Sequence, residues 1–235
     1  MDDFAKRQFD KESRSVLWGL WVGFFLVLVC AFTLACCHPV HADVIPRDAN
    51  HYRSTLVRAA HAGMGLDAPI ATLAAQVHQE SRWRVDAKSP VGAQGLAQFM
   101  PATAEWLAEI YPHSIGTADP FNPGWSLRAM VAYNKWLLVR VRAHNNCERW
   151  AMALSAYNGG LGWVYRDRAL SREYGADDLA WFDSIEPHNA GRSEANFAEN
   201  RHYVRVVLLR FEPLYVRQGW GHGVCGERYA NKARF

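Results

Sequence analysis

The sequence predicts a mainly α-helical protein. Apolar residues recur at intervals of three and four in most of the longer segments, while the alternating pattern of a β-strand is scarce. Asp and Asn-Pro stand where helices would begin, and glycines stand where they would end. Half of the residues are apolar and 21% are charged, which excludes a disordered chain; 235 residues suit one domain with a terminal element.

The residues before position 43 are expected to direct the rest of the chain out of the cytoplasm. Val16–Cys37 has no charged residue, and basic residues precede it. It is longer than the ~7–15 residues of a signal-peptide core and close to the ~20 of a membrane span. It is therefore either a long signal peptide, cleaved after Ala42, or an uncleaved inner-membrane anchor; a lipoprotein modified at Cys36 is a weaker alternative. Either main reading places the remainder in the periplasm.

The remaining chain divides into three parts. We expect a linker at 43–51, a folded domain at 52–216 and a Gly-rich tail at 217–235. The domain opens with a helix that glycines end. A second helix, with Asp67 as N-cap and Pro69 in its first turn, runs to Ser81.

Further helices follow in the second half of the domain. Their predicted ranges are 101–111, 126–144 after the Asn122-Pro123 start, 147–160, and 200–216 with an interruption at Pro213. Between Trp163 and Glu199 the periodicity fails, so we expect a partly helical excursion that could line a cleft.

Composition excludes two classes of binding. The net charge of +3 is too small to indicate a nucleic-acid-binding protein. The ten histidines show no HExxH motif and no Cys/His ligand spacing, so we expect no metal and no cofactor. Cys147 and Cys225 are the cysteines outside the apolar segment; in an oxidising compartment they form a disulfide or stay as two thiols, and the sequence leaves both open.

Glu80 is the candidate for acid–base chemistry. It follows Leu73 by seven positions and Val77 by three, so the three side chains share one helix face. Burial and the negative end of the helix dipole both raise the pKa of a carboxyl in a last turn, as a general acid requires. The alternative is a side chain that bends past the helix end into solvent.

Three motifs resemble those of the SLT-type lytic transglycosylases. ESRWRVDAKSPVGAQGLAQFMPATA at 80–104 is similar to the first motif, ALSAYNGG at 153–160 to the second and ENRHYV at 199–204 to the third. The resemblance implies a mainly α, goose-type lysozyme-like helical domain. It also implies cleavage of the MurNAc–GlcNAc β-1,4 bond of peptidoglycan without water, leaving a 1,6-anhydro-MurNAc end.

The same resemblance implies roles for particular residues. Glu80 is the catalytic acid/base, and two tyrosines are expected to hydrogen-bond near it. The implied substrate-binding residues are Ser81, Gln98, Tyr157, Asn158, Glu199 and Tyr203. One carboxylate suffices if the N-acetyl oxygen of the substrate supports the cationic centre and its C6 hydroxyl is the nucleophile.

The sequence departs from the family pattern at several positions. Ala97 replaces a usual Met, Gly159 an Ala, Leu161 a common Pro and Asn200 a Thr. These changes affect substrate-site detail rather than the reaction class.

Other acids and aromatic residues compete for roles at the site. Asp86, Glu105 and Asp119 are expected to be solvated or capping residues. Among the tryptophans, Trp163 and Trp181 are the candidates to line a groove, whereas Trp136 and Trp150 are expected in the core.

Two other functions are open at this point. A lysozyme-like hydrolase would need a placed water and usually a second acid. A wall-binding scaffold would need no acid. In each case the partners are peptidoglycan glycan strands, with a conjugation or secretion apparatus, wall turnover or a phage as the setting.

Overall fold

A computed structural model describes residues 43–226 and Tyr229. These residues are mainly helical, which confirms the predicted fold class. The helices are α1 (Arg47–Met64), α2 (Ile70–Ser81), α3 (Pro101–Ile110), α4 (Pro112–Ile115), α5 (Pro123–Leu138), α6 (Asn146–Gly159), α7 (Leu161–Glu173), α8 (Glu194–Arg205) and α9 (Glu212–Arg217). A π-helical segment, Val206–Phe211, joins α8 to α9, and a tight turn spans Trp181–Ile185. The β-structure in this part of the chain consists of isolated bridges around Gln94.

The first helix corrects the predicted linker. Helix α1 begins at Arg47, directly after Pro46, so residues 47–51 of the predicted linker are helical. Ala49 is fully buried. Asp43 pairs with Arg210 at 2.7 Å, which holds the start of residues 43–46 against the domain. The sequence does not reveal this first part of the helix, because residues 47–51 contain too few apolar residues to show helical spacing.

The targeting prediction for Val16–Cys37 falls outside the described residues. Within residues 43–226 and Tyr229, no helix is both long and apolar enough to cross a membrane.

Helix α2 is the central element of the domain. It packs against α1, α9 and the π-helical segment. Every residue from Ile70 to His78 is buried, including the polar side chains of Thr72 and Gln76. Helix α6 forms the second centre, packed against α5, α7 and α8. The ends of α2 and α6 therefore have positions that the core determines.

Residues 218–226, within the predicted tail, contain no α-helix and are bound to the domain. The buried carboxylate of Glu212 accepts hydrogen bonds from Val224 N (3.1 Å) and Cys225 N (2.8 Å). A Cβ on Gly223 would overlap this carboxylate, so glycine is required there. The structure joins Cys225 to Cys147, at the start of α6, through a disulfide.

The excursion between α7 and α8 is held by a buried ion cluster. Asp167 is fully buried and accepts from Arg192 Nη2 at 2.7 Å and from Arg201 Nη2 at 2.8 Å. Trp181 is also fully buried, under the guanidinium of Arg201, and its backbone N donates to Glu148. The prediction that Trp181 lines a groove is therefore wrong, because the excursion folds inward at this point.

Loss of the charge on Asp167 should strongly destabilise the domain. Asp167→Asn leaves two buried guanidinium groups without their carboxylate, so we expect the free energy of unfolding to fall by about 3–5 kcal/mol. Chemical denaturation measures this change. Asp178→Asn is the matched control, since Asp178 pairs with Arg168 in a partly exposed position; its loss should stay within about 1 kcal/mol. Equal losses in the two variants would contradict the assigned role of the buried cluster.

Candidate active site

A cleft of about 370 Å³ opens over the C-terminal end of α2. The end of α6, the middle of α8 and the loop after α2 form its walls. The residues that line it are Gln79, Glu80, Ser89, Val91, Ala93, Gln98, Phe99, Met100, Thr103, Tyr133, Tyr157, Asn158, Glu199 and Tyr203. Besides Glu80 itself, five of the six predicted substrate-binding residues meet here: Gln98, Tyr157, Asn158, Glu199 and Tyr203.

A sharp change of chain direction places Glu80 on the floor of the cleft. Helix α2 ends at Ser81, and Arg82 and Trp83 adopt left-handed backbone angles, with φ of 52° and 65°. Such angles are uncommon for residues other than glycine. Trp83 is fully buried, and its Nε1 donates to the hydroxyl of Tyr215 at 2.7 Å. This anchor fixes the turn and thereby the end of the helix that carries Glu80.

The carboxyl of Glu80 is only partly accessible and lies among apolar and phenolic groups. Burial raises its pKa from 4.5 to about 8, and the charge of Glu199 adds to the rise. The hydroxyl of Tyr203 donates to Oε1 at 2.5 Å and opposes the rise. A carboxyl with a pKa above 7 holds its proton in most molecules at neutral pH. The Glu80 side chain therefore does not bend past the helix end into solvent.

The two predicted tyrosines have different partners. Tyr203, on α8, is buried and bonds to Glu80 directly. Tyr157, in the last turn of α6, instead donates to the carbonyl of Ala97 at 2.8 Å. Burial, and then the nearby charge of Glu80, raise the pKa of both phenols well above 10, so both stay neutral donors.

The loop after α2 is held rigid by its own polar groups. The amide Nε2 of Gln98 donates to the carbonyls of Gly95 (2.8 Å) and Ala87 (3.1 Å). Gly95 has φ 74° and packs so closely on the backbone of Pro120 that a Cβ would overlap it. Ala97 is fully buried, and its N–H donates to Ser126 at 3.1 Å. Ala97 replaces the family's usual Met, but the hydrogen bonds that its backbone makes to Ser126 and Tyr157 do not depend on the side chain.

Ser81 does not line the cleft. Its side chain is buried, and the hydroxyl donates back to the carbonyl of Val77 in the same helix at 3.5 Å. One residue further along a helix turns a side chain by about 100°, which takes Ser81 off the face that Glu80 occupies. The family resemblance implies that Ser81 binds substrate, whereas in the structure Ser81 lies in the core behind the cleft.

Asn200, which departs from the family pattern, orients a residue of the cleft. It is buried, and its Nδ2 donates to Asn158 Oδ1 at 2.8 Å and to the carbonyl of Ser155 at 2.9 Å. Its Oδ1 accepts from Arg201 at 2.9 Å. The Asn158 amide is consequently fixed at the cleft wall, with Glu199 exposed on the rim nearby.

Sequence reasoning missed part of the wall. Tyr133, on α5, lines the cleft with its ring centroid 5.1 Å from that of Tyr157, and Phe99 lies 5.9 Å from Tyr157. An aromatic residue on an amphipathic helix gives no signal that separates a cleft wall from the core. The other acids considered from sequence, Asp86, Glu105 and Asp119, are exposed and lie outside the cleft lining.

The described residues hold no group of three His, Cys, Asp or Glu side chains arranged to bind a metal ion.

Comparison with known sequences gives a consistent picture. The family model described as "Transglycosylase SLT domain" matches residues 58–180. The chain is 32% identical over 165 residues to membrane-bound lytic murein transglycosylase F of Vibrio parahaemolyticus, which covers 69% of this chain and 26% of the relative. The same protein of Pasteurella multocida is 36% identical over 112 residues, or 47% of this chain and 21% of the relative. This chain therefore spans about a quarter of these relatives' length.

Solved structures resemble the chain as well. The 70 kDa soluble lytic transglycosylase of Escherichia coli superposes with a TM-score of 0.54 at 27% identity, covering 73% of this chain and 25% of that one. The lytic transglycosylase Slt of Pseudomonas aeruginosa, an inactive Glu-to-Gln mutant, gives a TM-score of 0.59 at 25% identity, covering 81% and 28%.

The raised pKa of Glu80 makes stability depend on pH. In the unfolded chain this carboxyl ionises near 4.5, and in the folded protein near 8. Wild type therefore loses stability as the pH rises from 4.5 through about 8. Glu80→Gln should remove that loss and be more stable than wild type by on the order of 3 kcal/mol at about pH 9. Chemical denaturation at about pH 4 and pH 9 measures both values.

Glu105→Gln is the control, because this exposed glutamate should show no such pH-dependent gain. A Glu80→Gln protein that gains nothing between the two pH values would contradict the desolvation of this carboxyl.

Removal of the Tyr203 hydroxyl should raise the pKa of Glu80 further. That hydroxyl donates to the carboxylate and so favours its ionised form. We expect Tyr203→Phe to move the Glu80 titration to higher pH in a carboxyl-carbon NMR experiment. Tyr133→Phe removes a hydroxyl from the same cleft without removing that hydrogen bond and should leave the titration in place. A fall in the pKa in Tyr203→Phe would disprove the assignment.

Proposed function

The chain belongs to the transglycosylase SLT family, and on this premise we propose that it is a peptidoglycan lytic transglycosylase. It cleaves the MurNAc–GlcNAc β-1,4 bond without water and leaves 1,6-anhydro-MurNAc ends. The observation that carries the proposal is the shielded carboxyl of Glu80 on the floor of the cleft, bonded to Tyr203 and with a pKa that burial raises.

Glu80 supplies the acid for the first step. With a pKa of about 8, the carboxyl holds its proton at neutral pH and gives it to the glycosidic oxygen as the C1–O bond breaks. Tyr203 stabilises the resulting carboxylate through its hydrogen bond. That carboxylate is then the base that takes the proton of the C6 hydroxyl while the hydroxyl oxygen bonds to C1, which closes the anhydro ring.

The arrangement of acids favours this route over hydrolysis. Glu199 is the other acidic residue in the described cleft lining, and it is exposed on the rim rather than enclosed. A two-carboxylate glycosidase needs an ionised group opposite its acid, to activate water or to attack the sugar. In the proposed route the N-acetyl oxygen of MurNAc supports the cationic centre, so the substrate replaces the second group. The inactive Glu-to-Gln mutant among the structural relatives supports an essential glutamate in that enzyme.

The proposed substrate and location agree with the relatives. Relatives named membrane-bound lytic murein transglycosylase F support an enzyme that acts on murein at a membrane, and we place it in the periplasm. The apolar segment Val16–Cys37 would export the chain, and would hold it at the inner membrane if uncleaved. A conjugation or secretion apparatus that crosses the wall would be the partner of a local wall-opening enzyme.

Product analysis of digested sacculi tests the proposal. Mass spectrometry of muropeptides from wild type should show anhydro ends, which lack the added water of a hydrolysed end. Glu80→Gln should lose activity by at least about 10²-fold, because it removes the general acid. Glu199→Gln should still release anhydro ends, since no second carboxylate takes part in bond cleavage.

Hydrated reducing ends from wild type would establish the hydrolase instead. A Glu80→Gln protein that digests sacculi as fast as wild type would establish a non-catalytic role for this carboxyl.

A further inference from the structure

A second cavity adjoins the catalytic cleft. Its volume is about 340 Å³, and it shares Asn158 and Glu199 with the cleft. We call it the side cavity; its remaining lining residues are Gly159, Trp163, Gly191, Arg192, Ser193 and Asn196. The two cavities therefore meet at Asn158 and Glu199.

Arg192 gives the side cavity a buried charge with unused donors. Its side chain is only 3% exposed, and Nη2 is bonded to Asp167 at 2.7 Å. Within residues 43–226 and Tyr229, Nε and Nη1 have no hydrogen-bond partner. Buried donors without partners are rare in proteins because each costs the full desolvation of the group. The ion pair with Asp167 therefore explains one side of this guanidinium, but not the side that holds Nη1.

Gly159 lies directly beside this nitrogen. A Cβ at position 159 would stand 3.0 Å from Arg192 Nη1 and 2.9 Å from Asn200 Nδ2. The cavity wall carries no side chain at this point, and of these two nitrogens only Nη1 of Arg192 lacks an acceptor among the described residues, because Nδ2 of Asn200 already donates to Asn158 and Ser155. The family pattern has Ala at this position, whose methyl group would fill the space. The glycine therefore leaves Nη1 of Arg192 uncovered by a side chain on this wall of the cavity.

We propose that the side cavity binds a carboxylate of the peptide stem carried by the glycan strand, with Arg192 Nη1 as its charged donor. The proposal rests on the proposed function, which brings a peptide-bearing strand into the cleft. Guanidinium–carboxylate hydrogen bonds are among the strongest in proteins, and a water-poor site strengthens them. The ring of Trp163 forms an apolar wall for the stem, and Glu199 at the entrance suits an N–H group of the same peptide.

Binding to two kinds of strand tests the site. The inactive Glu80→Gln protein serves as the background, and its affinity is measured for peptide-bearing strands and for strands stripped of peptide by an amidase. We expect tighter binding of peptide-bearing strands. Adding Arg192→Gln should weaken that binding about tenfold and leave binding of stripped strands unchanged.

Two further variants keep the test decisive. Arg192→Lys preserves a positive charge for Asp167 but has one head group for both partners, so it should lose the same preference even if Arg192→Gln is unstable. Arg166→Gln removes an exposed arginine whose guanidinium lies 4.6 Å from the ring of Trp163, and it should leave both affinities unchanged.

Equal affinity of the Glu80→Gln protein for the two strands would overturn the proposal, since the stem would then contribute nothing. Equal weakening of both strands by Arg192→Lys would also overturn it, because Arg192 would then only support the fold through Asp167. The proposed function fails separately: active wild type would release no anhydro ends from either strand, whatever the binding experiment shows.

Discussion

The carboxyl group of Glu80 has to be shielded from water while it stays open to a substrate. Its pKa of about 8 follows from this position at the last turn of a helix that is buried almost along its whole length. A surface helix could not supply such shielding, since water would solvate the carboxylate and restore its ordinary pKa. The packing of α2 against α1, α9 and the π-helical segment is therefore as much a part of the chemistry as the carboxyl itself.

Different side chains around Glu80 stabilise its carboxylate and hold the cleft walls in position. Tyr203 supplies a hydrogen bond that stabilises the ionised form. Tyr157 holds the neighbouring loop through the Ala97 carbonyl, and Asn200 holds Asn158. Each of these polar groups is satisfied by a defined partner, which keeps the cleft walls in place before a ligand arrives. Nη1 of Arg192 has no such partner among the described residues, which is why it points to a ligand.

Several features could be read directly from residue order. Helical spacing placed Glu80 on the apolar face with Leu73 and Val77, and the motifs around it indicated the family that the comparisons then showed. The predictions for Trp181 and Ser81 are wrong for different reasons. The position of Trp181 depends on how residues 174–193 fold, and that of Ser81 on the angle at which α2 ends. Asn200 was seen only as a departure, since its partner Ser155 is far away in the chain.

The sequence by itself determined the helical class and the family, and it predicted the acid, because these depend on local periodicity and on motifs within short segments. Only the tertiary structure decided which tyrosine bonds to Glu80, that Ser81 faces the core, and that Arg192 meets Gly159 beside the cleft. These relations join residues of different helices. Their distances follow from how α2, α6 and α8 pack together, and no pattern along one segment contains that information.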